Sequence, residues 1–122
     1  RIEGYKNYVA IDGGMTDNPR YALYESAYTV IAADKAEEEC NFLCDLVGKC
    51  CESGDIIQPK VMLPESIERN DLVAVLTTGA YNFSMASNYN RIPRLPVIMV
   101  NGDEDYVAVK GETLDDIISR DM

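Results

Sequence analysis

Apolar positions along this chain come in short runs. Residues 8–11, 27–32 and 72–76 are apolar or alternating segments rich in Val, Ile and Tyr, separated by Gly, Pro, Asn and Asp. Each reads as a strand, because alternation at period two puts one set of side chains against a core. Residues 96–100 and 106–109 flank Asn101-Gly102-Asp103-Glu104-Asp105. This five-residue connection predicts a hairpin, since its opening Asn and Gly tolerate positive φ. Helical patterning is confined to two stretches. Residues 34–45 hold Ala, Glu and Leu, but Glu37-Glu38-Glu39 breaks the amphipathic face, and a strand plus loop fits equally. Thr113 precedes Leu114-Asp115-Asp116-Ile117-Ile118. There Thr113 can cap a short terminal helix, Asp116 answers as the capping-box acid, and Leu114, Ile117 and Ile118 are expected to face inward. No repeat, low-complexity tract or linker interrupts residues 1–122. Strands at short spacing with turn signals predict a single mainly-β domain, a β-barrel or sandwich with short helices.

Composition narrows the classes. The chain has 122 residues, 47% hydrophobic and 26% charged, enough for one globular core. Its apolar runs all fall short of the roughly 20 residues that cross a bilayer. A net charge of −10 argues against unspecific binding to nucleic acid or an anionic membrane, both of which need a basic surface. The start, Arg1-Ile2-Glu3-Gly4, lacks an initiator Met and a secretory leader pattern, and reads as a cut within a longer protein. Four cysteines, Cys40, Cys44, Cys50 and Cys51, crowd one stretch of a chain without His, so no metal site is expected. Adjacent cysteines rarely meet disulfide geometry, and unpaired thiols suggest a reducing cytoplasm. By spacing alone the four read as small buried hydrophobes.

Polar residues gather in Asp12-Gly13-Gly14-Met15-Thr16-Asp17-Asn18-Pro19-Arg20, at Tyr24, in Cys50-Cys51-Glu52-Ser53-Gly54-Asp55, and in the stretch from Thr78 to Asn90. The glycine pair lacks the spacing of a nucleotide-binding loop; it can form a tight turn or let a backbone approach a ligand. Pro19 stiffens the backbone before Arg20, whose guanidinium can grip a carboxylate bidentately, or can equally lie solvated or salt-bridged. Cys51 beside Glu52 suits proton donation better than thiolate attack, because an adjacent carboxylate raises a thiol's pKa. Without His, Cys-His and Ser-His-Asp hydrolases are excluded, and no acid pair is singled out for glycoside hydrolysis. Tyr81 and Tyr89 can offer a ring face to a planar ligand, or merely cap the core.

The strings Asp12-Gly13-Gly14-Met15, Asn18-Pro19-Arg20, Ala22-Leu23-Tyr24, Gly48-Lys49-Cys50-Cys51-Glu52-Ser53-Gly54-Asp55, Thr78-Gly79-Ala80-Tyr81 and Met85-Ala86-Ser87-Asn88-Tyr89-Asn90 resemble, in the same order, diaminopimelate decarboxylases. The resemblance runs from Tyr8 to the terminal helix, and Cys-Glu-Ser-Gly-Asp is its most specific part; related ornithine decarboxylases usually carry Cys-Asp there. It implies a C-terminal Greek-key β-barrel or sandwich, like that of alanine racemase. An N-terminal α/β barrel, absent here, holds pyridoxal 5'-phosphate on a lysine, and the enzyme is a homodimer with active sites at the interface. The reaction implied is meso-diaminopimelate to L-lysine and carbon dioxide. By resemblance Arg20, Tyr24 and Glu52 bind the distal end of the substrate, Tyr81 contacts cofactor and substrate, and Cys51 donates a proton across the interface. Cys40, Cys44 and Cys50 carry no such role. A decarboxylase for another basic amino acid or polyamine precursor, a catalytically dead regulatory relative, and an independent β-barrel binding module are the competing readings. Alone, the chain is expected to be inactive and to expose an apolar face that the barrel would cover.

Overall fold

The computed structural model describes Arg1 and residues 4–122. In chain order its elements are β1 Tyr8–Ala10, α1 Arg20–Tyr24, β2 Val30–Ala32, β3 Cys40–Val47, β4 Ile56–Pro64, β5 Val73–Val75, α2 Asn82–Met85, β6 Val97–Asn101, β7 Glu104–Val109 and α3 Leu114–Ile118, with 3-10 turns at Ala33–Lys35 and Tyr89–Arg91. The fold is mainly β with short helices, as the strand spacing predicts. Among the described residues the strands form three sheets, ordered β1-β3-β4, β2-β5 and β6-β7. β1 runs parallel to β3, Tyr8 opposite Asp45, and β3 runs antiparallel to β4. No helix among the described residues is long and apolar enough to cross a membrane.

The core lies between the first two sheets: Val30 and Ala32 of β2, Phe42, Cys44 and Leu46 of β3, and Ile57, Val61 and Leu63 of β4, with Val9, Ile11, Val73 and Val75 packed against it. Over residues 34–45 the strand-plus-loop alternative is the one adopted. Phe42, Cys44 and Leu46 alternate inward, whereas the glutamates at 37–39 stay exposed.

β4 is the strand that apolar patterning misses, because Pro59 and Pro64 break it. Proline is tolerated there by irregularity. Between Cys44↔Val61 and Leu46↔Gln58 the register shifts, giving β4 one extra residue. Lys60 takes the left-handed conformation at φ 54°, and its N–H is taken at 2.9 Å by the carboxylate of buried Asp45. Asp45 also pairs with Lys6 at 2.9 Å. A charged side chain thus fills the hydrogen bond that the bulge removes.

The hairpin forms, but its connection is shorter than expected. Asn101 pairs with Glu104 and Val100 with Asp105, leaving Gly102 and Asp103 as the turn, Gly102 at φ 63°. The acids of 104–105 are solvated strand residues instead of loop. In α3, Thr113 and Asp116 form the expected capping box. The inward orientation of its apolar residues is not found: Leu114 and Ile118 are exposed and Ile117 is half-buried. The cap is local and forms regardless, whereas burial needs a facing surface that the described residues do not supply.

Candidate functional site

Three connections meet on one side of the fold: residues 12–20 between β1 and α1, 48–55 between β3 and β4, and the segment after β5 from 78 to 91. Backbone contacts knit them together. The Lys49 N–H donates to the Gly13 carbonyl at 3.1 Å and the Ser87 N–H to the Thr16 carbonyl at 2.9 Å. Buried Asp55 is the hub, accepting the N–H groups of Met15 at 2.6 Å and Cys50 at 2.7 Å. Glycine is required around it. A Cβ on Gly14 would lie 2.9 Å, and one on Gly48 2.2 Å, from the Asp55 carboxylate. The space that the Gly13-Gly14 pair opens to an anion is therefore filled from within the chain, and a phosphate cradle is not what it forms.

Arg20, Tyr24 and Tyr81 come together. Arg20 opens α1 directly after Pro19, and its N–H donates to Asn18 Oδ1 at 3.2 Å. Its guanidinium carbon lies 5.5 Å from the Tyr24 ring centre and 5.0 Å from that of Tyr81. Nη1 is 3.9 Å from Met85 Sδ. Arg1, Arg91 and Arg94 each pair with a carboxylate, while among the described residues Arg20 has none. Two ring faces orient its charge without neutralising it. Tyr81, just ahead of α2, has φ 73° and ψ −38°. An aromatic residue there stores roughly 1–3 kcal/mol of strain, of the kind that concentrates at functional positions.

Cys51 and Glu52 form a second group. Both are exposed. The Cys51 N–H donates to Asn90 Oδ1 at 2.8 Å, and Tyr89 donates its hydroxyl to Glu52 Oε2 at 3.4 Å. The Gly54 N–H, 3.0 Å from Glu52 Oε1, is the main influence holding the Glu52 carboxyl below its usual range, aided by Ser53 and Tyr89. The Glu52 charge in turn pushes the Tyr89 phenol up. Burial, then Asp55, raises the Cys50 thiol. Burial also pushes Cys44 up to about 11. Of the four free thiols only Cys44 is fully buried; Cys50 is half-buried, and Cys40 and Cys51 are exposed. The expectation of four buried hydrophobes therefore holds for Cys44 alone, because the other three lie at strand ends or in turns.

Among the described residues no hydrogen bond or ion pair links Arg20 to Glu52. The two groups are joined by one segment: Tyr81 and Met85 at its start meet Arg20, and Tyr89 and Asn90 near its end meet Glu52 and Cys51. Met85 and Asn90 are site residues to which spacing assigns no role. A cleft of about 890 Å³ opens alongside, lined by Asn18, Asn82, β1 and β5, but Arg20, Tyr81, Cys51 and Glu52 do not line it. The candidate site is instead an open rim.

That rim leaves room for a planar ring against Tyr81. The Tyr81 ring is exposed, and a Cβ at neighbouring Gly79 would meet nothing within 4 Å. Lys6 and Lys35 are tied to Asp45 and Asp71.

Comparison with known proteins shows the family to which the chain is similar. The family described as pyridoxal-dependent decarboxylase, C-terminal sheet domain, matches residues 1–79. The diaminopimelate decarboxylase of Bacillus subtilis is 47% identical over 121 residues, covering 99% of this chain and 27% of that protein. That of Synechocystis is 41% identical over 120 residues, covering 98% and 25%. The crystal structure of diaminopimelate decarboxylase from Helicobacter pylori complexed with L-lysine superposes with a TM-score of 0.83 at 36% identity, covering 93% of this chain and 28% of that one. The M. jannaschii enzyme, also solved with L-lysine, gives 0.89 at 29% identity, covering 100% and 27%. The chain spans about a quarter of the length of the curated relatives it matches.

Proposed function

From the premise that this chain belongs to the pyridoxal-dependent decarboxylases, as their C-terminal sheet domain, we propose that it forms one rim of the active site of a diaminopimelate decarboxylase, which makes L-lysine and carbon dioxide from meso-diaminopimelate. In this reading residues 1–122 are the single C-terminal domain of a two-domain enzyme. An N-terminal α/β barrel carries the cofactor lysine, and a homodimer closes the open rim from the partner subunit. Free thiols suit a reducing, cytoplasmic setting.

The observation that carries the proposal is an aromatically framed Arg20, without a carboxylate partner among the described residues, joined through residues 81–90 to the Cys51-Glu52 pair. Diaminopimelate differs from lysine by a carboxylate, so a selective site must hold a carboxylate and an ammonium at the substrate's distal end. Arg20 offers a permanent, planar cation for the first. Glu52, kept ionised by the Gly54 N–H, offers an anion for the second. Tyr24 orients Arg20, and Tyr81 touches both Arg20 and the cofactor. Pyridoxal phosphate, when bound, supplies the electron sink for decarboxylation. The exposed Cys51 thiol supplies a proton to the carbon that has lost carbon dioxide and regains it from solvent.

The deciding experiment is decarboxylation of meso-diaminopimelate by the full-length protein with added pyridoxal phosphate, following lysine and carbon dioxide. Lysine formation is expected. Consumption of another basic amino acid in its place would assign a sister decarboxylase, and no cofactor binding would assign a dead relative.

A further inference from the structure

Resting on the proton-donor reading of Cys51, we infer that Asn90 is a positioning residue that sets the direction of the Cys51 thiol.

Cys51 is exposed, so core packing does not orient it. Within its turn, the Glu52 N–H donates to the Cys50 carbonyl at 2.8 Å and the Asp55 N–H to the Glu52 carbonyl at 3.1 Å. Cys50 N–H points to the buried Asp55 carboxylate at 2.7 Å. These contacts stay inside the 50–55 turn. The Cys51 N–H instead leaves the turn and reaches Asn90 Oδ1 at 2.8 Å. The peptide between Cys50 and Cys51 is held by its carbonyl, which accepts from the Glu52 N–H, and by its N–H, which reaches Asn90; the next peptide is held through that same Glu52 N–H, so the planes on both sides of the Cys51 Cα are fixed and with them its Cα–Cβ direction.

The loop that presents Asn90 is held from outside. Asn90 is left-handed at φ 55° and ψ 22°, a conformation that Asn tolerates better than most residues. Arg91 follows at φ 59° and is tied to Asp121 by contacts of 2.9 and 3.2 Å. Glu112 accepts from the Asn88 amide at 2.5 Å, the Arg94 N–H at 2.8 Å and the Arg94 guanidinium at 2.8 Å. A loop bound at this many points can hold a neighbouring turn still.

If Asn90 served only to turn the chain, glycine would replace it without loss, since glycine adopts the same φ. The test compares Asn90→Gly, Asn90→Asp and Cys51→Ala in the full-length enzyme, reading kcat, KM, cofactor absorbance, thermal melting and peptide-resolved alkylation of Cys51 by iodoacetamide against pH. Asn90→Gly is expected to lower kcat about five- to tenfold, the size one lost hydrogen bond supports. KM, absorbance and melting stay unchanged, and Cys51 alkylates faster as the turn loosens. Asn90→Asp keeps the acceptor and restores most of kcat, while its charge moves the Cys51 alkylation profile to higher pH. Wild-type kcat and alkylation in Asn90→Gly would overturn the inference, as would a kcat loss matched by lost melting temperature or cofactor absorbance. Wild-type turnover in Cys51→Ala would instead sink the proton-donor reading, and a changed alkylation profile in Asn90→Gly would mark that as a separate failure.

Discussion

The rings of Tyr24 and Tyr81 hold the Arg20 guanidinium, with no competing carboxylate among the described residues. Its removal should therefore appear in binding. Arg20→Ala in the full-length enzyme is expected to raise KM for meso-diaminopimelate about ten- to hundredfold, the equivalent of one charge-assisted contact. A fall in kcat with KM unchanged would reassign the residue to the chemical step. Cys51 predicts the opposite signature. Cys51→Ala should lower kcat by about 10²–10⁴, the usual range for a lost general acid, while the cofactor spectrum persists. Normal turnover would refute the proton-donor role. The strings around both residues, and the one from Met85 to Asn90, are readable in the sequence, but the contacts of Met85 with Arg20 and of Asn90 with Cys51 are not. A thioether on a guanidinium and an amide on a peptide 39 residues away leave no trace in local spacing.

At the scale of elements, Asp45 is the residue on which β3 and β4 depend most specifically. Burial works to raise its carboxyl, yet the Lys60 N–H and the Lys6 ammonium outweigh that and leave it below its ordinary 3.8. A carboxylate depressed on folding adds stability above its unfolded value and loses it as pH falls through the folded one. Asp45→Asn should therefore destabilise the protein by about 1–3 kcal/mol at neutral pH. In denaturant titrations run at successive pH values, the gap to wild type should shrink below about pH 4. A gap independent of pH would show that Asp45 acts by shape and not by charge. Patterning predicts β1, β2, β5 and the β6–β7 hairpin because each is a short run of apolar or alternating residues bounded by turn formers. It misses α1 and α2, five and four residues long, which are too short to show a helical period and, unlike the equally short α3, have no side-chain N-cap to announce them. It misses β4 because a proline in mid-strand normally argues against a strand, and only the bulge makes it acceptable.

Across the whole molecule, apolar exposure is concentrated at the C-terminal end. Both faces of the β6–β7 hairpin are open, with Val100 at 72% and Tyr106 at 61% exposed, and Leu114 of α3 at 70%. Thr16 Oγ1, Asn18 Nδ2 and Asn82 Oδ1 are buried without a partner among the described residues. Exposed apolar surface on this scale favours association. The isolated 122-residue chain should bind a hydrophobic dye and show a concentration-dependent size in light scattering, whereas the full-length protein should do neither. A monodisperse, dye-silent monomer would favour an independent binding module over a domain of a larger enzyme.

What the sequence determined by itself is what neighbouring residues decide among themselves: the mainly-β class, the alternating strands, the hairpin with glycine at its turn, the Thr113–Asp116 capping box and the ordered strings that carry the family resemblance. Each rests on interactions within a few residues, so spacing alone records it. Tertiary structure decided the rest. It paired β4 through a bulge that Asp45 satisfies, filled the glycine pair with the Asp55 carboxylate, left the apolar side of α3 open, and brought three connections together so that one segment touches Arg20 at its start and Cys51 near its end. These contacts join residues 15 to 65 positions apart, and only the folded chain brings them within hydrogen-bonding reach.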